Sequence, residues 1–207
     1  HDIAEKEKEC EKKYGRVPHQ VVILVGEDPA SMSYVKSKGK DAEQVGFKGT
    51  PIRLPESTSE QELLDLIASL NADEGVDGIL VQLPVPEHID ESKVIAAISH
   101  EKDVDGFHPL NVAALWQKNP CVNPCTPKGV IKMLEEAGVE IEGKRAVVIG
   151  RSNIVGLPMA KMLLDRNATV TVAHSRTRDL PGICRQADIL VAAVGRLRFV
   201  TEEMVAP

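Results

Sequence analysis

Val147-Val148-Ile149-Gly150-Arg151-Ser152-Asn153-Ile154-Val155-Gly156-Leu157-Pro158 is the stretch whose reading decides the fold. The apolar run Arg145–Ile149 stops at one glycine, and a second glycine, Gly156, opens another apolar segment. That pattern predicts a buried strand passing through a loop into a helix. Unpaired N–H groups at the start of such a helix favour an anion, so a doubly wound sheet holds phosphate there. Gly150 allows the tight turn after the strand, and Gly156 allows close helix–strand packing. The spacing is G-x5-G, not G-x-G-x-x-G. Read locally, the glycines fit a phosphate loop or a chain that only turns.

The next strand, Thr169–Ala173, sharpens the reading. It runs into His174-Ser175-Arg176-Thr177-Arg178, with no acid before Asp179. Folds that bind NAD usually carry an Asp or Glu about 20 residues beyond the loop for the ribose hydroxyls. An acid would repel a 2′-phosphate, whereas a hydroxyl and guanidinium groups hold one. The segment therefore predicts NADP over NAD, with Arg151 and Ser175 nearest the phosphate. Arg176 and Arg178 read equally well as solvated charge.

Outward from this stretch, strand and helix patterns alternate, the signature of an α/β chain. Upstream lie a charged helix over 2–14 and a strand at Val21–Val25. A helix from Ala30 to Val45 and a strand at Thr50–Leu54 follow. Next come a helix capped by Ser59 or Thr58 and carrying Leu63, Leu64, Ile67 and Leu70 on one face, and a strand Gly78–Leu83. A weaker helix falls near 91–98 and a short one near 111–117, and another runs from Pro127 to Ala137 and stops at Gly138. Downstream, helices are expected at 156–166 and 179–186, with a strand at Ile189–Ala193. The Pro-rich stretch 120–127 divides the chain, giving domains 1–123 and 124–207.

In the first half, Tyr34 and Lys38 are four apart, so one helical face carries both. They can project over the C-terminal edge of the sheet, the ligand crevice of open α/β folds. A lysine there can move protons if partial burial tunes it. Periodicity alone does not choose Lys38 over Lys36 or Lys40. Gln82 ends an otherwise apolar run and is either bonded within the fold or aimed at a ligand. Asp103 and Asp105 are candidates for binding or for turn formation. His108 is a candidate base or a structural loop residue.

Bulk properties narrow the classes. The 207 residues are 43% hydrophobic and 27% charged, with net charge −6. A mildly acidic chain with scattered basic residues offers no footprint for nucleic acid or an anionic membrane. No apolar run approaches the roughly 20 residues of a membrane span. The start shows no signal-peptide pattern; it also lacks Met, which leaves open a removed targeting segment. Cys121 and Cys125 are four apart, but no second pair stands at zinc-like spacing, so no metal site is expected.

Six motifs occur in order: Tyr34-x-x-x-Lys38, Val81-Gln82-Leu83-Pro84, Lys102-Asp103-Val104-Asp105-Gly106, Pro124-Cys125-Thr126-Pro127-x-Gly129, Gly150-Arg151-Ser152-x-Ile154-Val155-Gly156-x-Pro158 and Ala168-Thr169-Val170-Thr171 with His174-Ser175. Together they resemble the bifunctional methylenetetrahydrofolate dehydrogenase/methenyltetrahydrofolate cyclohydrolase family, over roughly 15–205. The resemblance implies an α/β catalytic domain and a Rossmann-like NADP-binding domain with the active-site cleft between them. It implies oxidation of methylene- to methenyltetrahydrofolate and hydrolysis to the 10-formyl form, a step in one-carbon metabolism that serves purine synthesis. By the same resemblance Lys38 is the cyclohydrolase acid/base, Tyr34 positions the pterin, Gln82 tunes Lys38 and Asp105 anchors the pterin. Gly150, Arg151, Ser152, Ile154, His174 and Ser175 fall to NADP. A homodimer is implied. The expected location is cytoplasmic, with mitochondrial or plastid ones left open.

Members of that family usually continue past Pro207, with further strands, a Pro-Gly-Gly-Val-Gly-Pro loop and a final helix. The chain is therefore expected to be cut short at both ends, with an exposed sheet edge in its nucleotide domain. Rival readings are a different NADP dehydrogenase of shikimate or amino-acid type, a non-catalytic binding fragment, and a structural interaction module. The first does not explain Lys102–Gly106 together with Gln82 and Lys38.

Overall fold

The computed structural model describes residues 2–205 and divides into two compact units. Among the described residues the first comprises 2–104 and 108–110, the second 105–107 and 111–205. The first unit holds α1 (Asp2–Tyr14), β1 (His19–Val25), α2 (Pro29–Gln44), β2 (Lys48–Leu54), α3 (Glu60–Ala72), β3 (Gly78–Val81) and α4 (Glu91–Ala97). Its sheet is parallel, in the order β2-β1-β3. β1 is central, which is why Val21–Val25 is an unbroken apolar run buried on both faces. Val21, Ile23 and Val25 meet Leu63 and Ile67 of α3 and Val94 of α4 in the larger core. Val22 and Leu24 meet Val35 of α2 in a smaller one. Each side chain of this size taken fully from water contributes about 1.5–3 kcal/mol.

The second unit holds α6 (Cys125–Glu136), β4 (Arg145–Ile149), α7 (Gly156–Leu164), β5 (Thr169–Ala173), α8 (Leu180–Arg185) and β6 (Ile189–Ala192), after α5 (Pro109–Gln117). The sheet is again parallel, in the order β5-β4-β6. Ala146 and Val148 pack on Ile131, Met159 and Leu163. Val147 and Ile149 pack on Ala173 and Cys184. In each unit the first strand sits between the next two, so the chain reverses direction across the sheet at that strand. The loops at its C-terminal end are then spread apart, and a crevice forms there.

The two-domain α/β architecture with parallel sheets agrees with the expectation from sequence. The compact units part near 104–111, earlier than Pro124, because residues 111–123 make their contacts with the second unit. β3 stops at Val81, one residue short of Gln82, although the Gln82 N–H still donates to the Ile23 carbonyl at 2.8 Å. On α3, Leu66 packs against the core in place of Leu64. The helix does begin at a Ser59 cap, in a full capping box with Glu62.

Candidate functional site

α2 is amphipathic only in outline. Over its 16 residues it buries Ser31, Val35 and Ala42, leaving most of its length uncovered. Asp28 caps its first turn, accepting from the Ser31 N–H at 2.7 Å, and Pro29 supplies the preset backbone of the first position. That bond to Ser31 holds the Asp28 carboxyl below the usual carboxylate range. Of the three lysines on this helix, Lys38 is half-buried, while Lys36 and Lys40 are exposed. Lys38 Nζ donates to Gln82 Oε1 at 3.2 Å. Gln82 Nε2 donates to the Leu83 carbonyl at 2.8 Å. A carbonyl only accepts, so the amide must turn its NH2 to Leu83 and its oxygen to the lysine. Tyr34, one turn before Lys38, is exposed at 63%.

The motif Lys102–Gly106 separates into distinct jobs. Lys102 Nζ donates to the Leu70 and Asp73 carbonyls at 3.0 and 2.7 Å, satisfying acceptors at the end of α3. Asp103 is buried and pairs with Ile79 in a parallel bridge beside β3. Asp105 is half-buried. Gly106 has φ +70°, and a Cβ there would strike the Val122 carbonyl. Lys38, Tyr34 and Gln82 belong to the first compact unit and Asp105 to the second.

In the second unit Gly150 takes φ +119°, and a Cβ would run into the Ala193 carbonyl at the end of β6. Gly156 has no room for a Cβ either, because the Gly150 carbonyl lies against it. Both positions need glycine for reasons of space. Ser152 Oγ accepts from the N–H groups of Val155 and Gly156, each at 3.2 Å, and so closes the loop at the entry to α7. Arg151 is exposed and Ile154 half-buried. The Gly150 N–H donates to the Ala173 carbonyl at 2.8 Å, so the phosphate-type loop and the turn after β5 leave the sheet side by side. In that turn His174 N–H donates to Thr177 Oγ1 at 2.8 Å, and His174 Nδ1 accepts from Arg176 N–H at 3.2 Å. The imidazole thus carries its proton on Nε2 when neutral. Ser175, Arg176 and Arg178 are exposed. Asp179, the first acid after β5, caps α8 through the Gly182 N–H at 3.1 Å.

The sequence reading starts α2 at Ala30 and leaves Asp28 outside it, although Asp followed by Pro at a helix start is a signal of a cap. It gave no role to the Ala193 carbonyl, which only sheet order brings to Gly150. It also passed over Lys161, which is 3% exposed and bonded to both Asp165 oxygens at 2.5 Å. None of the four cysteines forms a disulfide. Burial pushes the Cys121 thiol up, with nearby Lys161 pulling partly the other way, which disfavours the thiolate a metal would need. No helix among the described residues is long and apolar enough to cross a membrane.

Comparison with known proteins adds identity to this geometry. The family described as tetrahydrofolate dehydrogenase/cyclohydrolase, catalytic domain, matches residues 1–105, and its NAD(P)-binding domain matches 124–207. The bifunctional protein FolD of Streptococcus pneumoniae is 54% identical over 205 residues, covering 99% of this chain and 72% of that protein. Among solved structures, the bifunctional FolD methylenetetrahydrofolate dehydrogenase/cyclohydrolase of Campylobacter jejuni superposes with a TM-score of 0.94 at 47% identity, covering 99% of this chain and 72% of that one. The Trypanosoma brucei methylenetetrahydrofolate dehydrogenase-cyclohydrolase, complexed with NADP and an inhibitor, gives 0.93 at 39% identity, covering 99% and 71%.

Proposed function

The chain belongs to the tetrahydrofolate dehydrogenase/cyclohydrolase family, and from that premise we propose that it oxidises 5,10-methylenetetrahydrofolate with NADP and hydrolyses the methenyl product to 10-formyltetrahydrofolate, with Lys38 as acid and base of the second step. The observation that carries the assignment of Lys38 is its hydrogen bond to Gln82, which orients one side-chain nitrogen out of three lysines on α2. In the hydrolysis, water oxygen bonds to the methenyl carbon and its proton passes to Lys38. Lys38 returns that proton to the ring nitrogen as the carbon–nitrogen bond breaks, and the remaining hydroxyl proton leaves to solvent as the formyl C=O forms on the other nitrogen. Gln82 holds Nζ in line for both transfers. Tyr34 provides a ring face for the pterin one turn away, and Asp105 accepts hydrogen bonds from it.

The residues at the ends of β4 and β5 fit NADP. A Cβ at Gly150 or Gly156 would fill the turn, so the loop keeps its backbone bare where a pyrophosphate approaches. Gly150, Ser152 and Ile154 would line that turn, with His174 beside them. Arg151 and Ser175 would hold the 2′-phosphate, where the nearest acid in the turn is already committed to capping α8. The chemistry NADP supplies when bound is acceptance of hydride from the folate methylene carbon. The chain's part in that step is alignment, which needs no proton donor.

The test follows methenyl-folate absorbance after mixing enzyme, methylenetetrahydrofolate and NADP. Wild type shows a transient signal. Lys38→Met keeps the NADP-dependent rise and accumulates the product, hydrolysis falling by about 10²–10⁴-fold. A Lys38→Met protein that still clears methenyl-folate at the wild-type rate would refute the role. The reading also includes a homodimer and a cytoplasmic location, both supported by the family resemblance. Sedimentation equilibrium and cell fractionation check them.

A further inference from the structure

We propose that Asp103 is a positioning residue for the folate, acting through the loop that carries Asp105. The inference rests on the reading of Asp105 as a pterin anchor. Asp103 is 3% exposed, so its carboxylate does not meet substrate from solvent. Its backbone is tied to the sheet: it bridges Ile79, and the Ile79 N–H donates to the Lys102 carbonyl at 2.7 Å. Its side chain reaches forward five residues, where Oδ2 accepts from the His108 N–H at 2.8 Å. His108 Nδ1 in turn accepts from the Leu110 N–H at 3.1 Å, inside the first turn of α5. The backbone bridge holds the near end of the segment 104–107 at β3, and the buried carboxylate ties the far end back to it. A buried charge-assisted bond of this kind is strong and directional. Opening the loop would free Asp105 to sample other directions, and the entropy lost on binding folate would rise.

Asp103→Ala removes the tie, whereas Asp103→Asn can still accept from His108. In the enzyme, Asp103→Ala is expected to raise KM for methylenetetrahydrofolate and for methenyl-folate by about tenfold or more, equal to 1.4 kcal/mol of binding. KM for NADP stays within about twofold. Asp103→Asn recovers most of the loss. Wild-type folate KM in Asp103→Ala, or an Asn variant as impaired as the Ala variant, overturns the proposal. Hydrogen exchange on the wild-type protein tests it without any variant: the His108 amide must be protected relative to Phe107, and an unprotected His108 amide refutes the tie. Asp105→Ala separates the two layers. If it raises folate KM and Asp103→Ala does not, the positioning role alone fails. If Asp105→Ala also leaves folate KM unchanged, the anchor reading fails and takes this inference with it.

Discussion

The two sheets are built to one plan. Each is a β-α-β-α-β run with the first strand central, β2-β1-β3 in one unit and β5-β4-β6 in the other. Each locks the start of its central strand with an Asp placed just before its third strand. His19 N–H donates to Asp77 at 2.9 Å, and Arg145 N–H to Asp188 at 2.7 Å. Each ends its central strand at a left-handed glycine whose N–H donates across to the second strand, Gly26 to Leu54 and Gly150 to Ala173. The helices that follow differ sharply. α7 buries seven of its nine residues, leaving Leu157 half-buried and Leu164 exposed at its far end, so it displays almost no side chain near the loop that precedes it. α2 buries three of sixteen and can display side chains two and three turns in. The same frame therefore supports backbone chemistry in one unit and side-chain chemistry in the other. What decides is how much of the helix the core claims.

The largest way to break this comparison is at the two glycines. Gly150→Ala meets both a forbidden backbone region and the Ala193 carbonyl, and should cost about 3 kcal/mol or more. Gly26 has φ +84°, but the nearest atom to an added Cβ is 3.7 Å away, so Gly26→Ala should cost only about 1 kcal/mol. Urea midpoints of the two variants check the order. Equal losses would show that the two turns are not built differently.

A smaller effect sharpens the functional side. Ser175→Asp places a carboxylate in the turn after β5, and KM for NADP should rise about tenfold or more. Steady-state kinetics with NADP and with NAD measures it, and an unchanged NADP preference would take the 2′-phosphate away from that turn.

The smallest effect compares the strand locks. Arg16 grips Asp77 through two nitrogens at 2.7 and 2.6 Å, whereas Arg145 Nε stands 3.8 Å from Asp188. Asp77→Ala should cost about 1 kcal/mol more than Asp188→Ala, both being exposed pairs. The Arg16 guanidinium, aided by the His19 N–H and opposed by burial, holds the Asp77 carboxyl below its usual range. The unfolded chain thus takes up this proton more readily than the folded one. The stabilisation is complete above the unfolded carboxylate value of about 3.9 and is lost as pH falls through the folded value. Urea midpoints between pH 6 and pH 2.5 should converge for wild type and Asp77→Ala at the acid end.

Legibility from sequence followed the same division. β4 and β5 are read at their observed ends, β4 because its apolar run closes at Gly150 and β5 because its Thr-Val alternation gives way to the polar His174-Ser175. Gln82 was placed inside a strand because GILVQL is continuous in sequence. The strand pairing itself stops at Val81, which frees the Gln82 side chain for Lys38. Lys102 and Asp103 looked like members of a ligand motif, yet their partners are the end of α3 and the His108 amide, 29 to 32 and five residues away in the chain. Capping of that kind depends on which ends meet in space.

Local sequence, then, determined the strand and helix order, the parallel α/β class and the family, because periodicity, glycines and caps act over a few residues. Tertiary structure alone decided which lysine is held, which aspartate is tied down and which glycine cannot be replaced. Those choices turn on contacts such as Lys38 with Gln82 and Gly150 with Ala193, 44 and 43 residues apart, whose distances exist only once the sheets have formed.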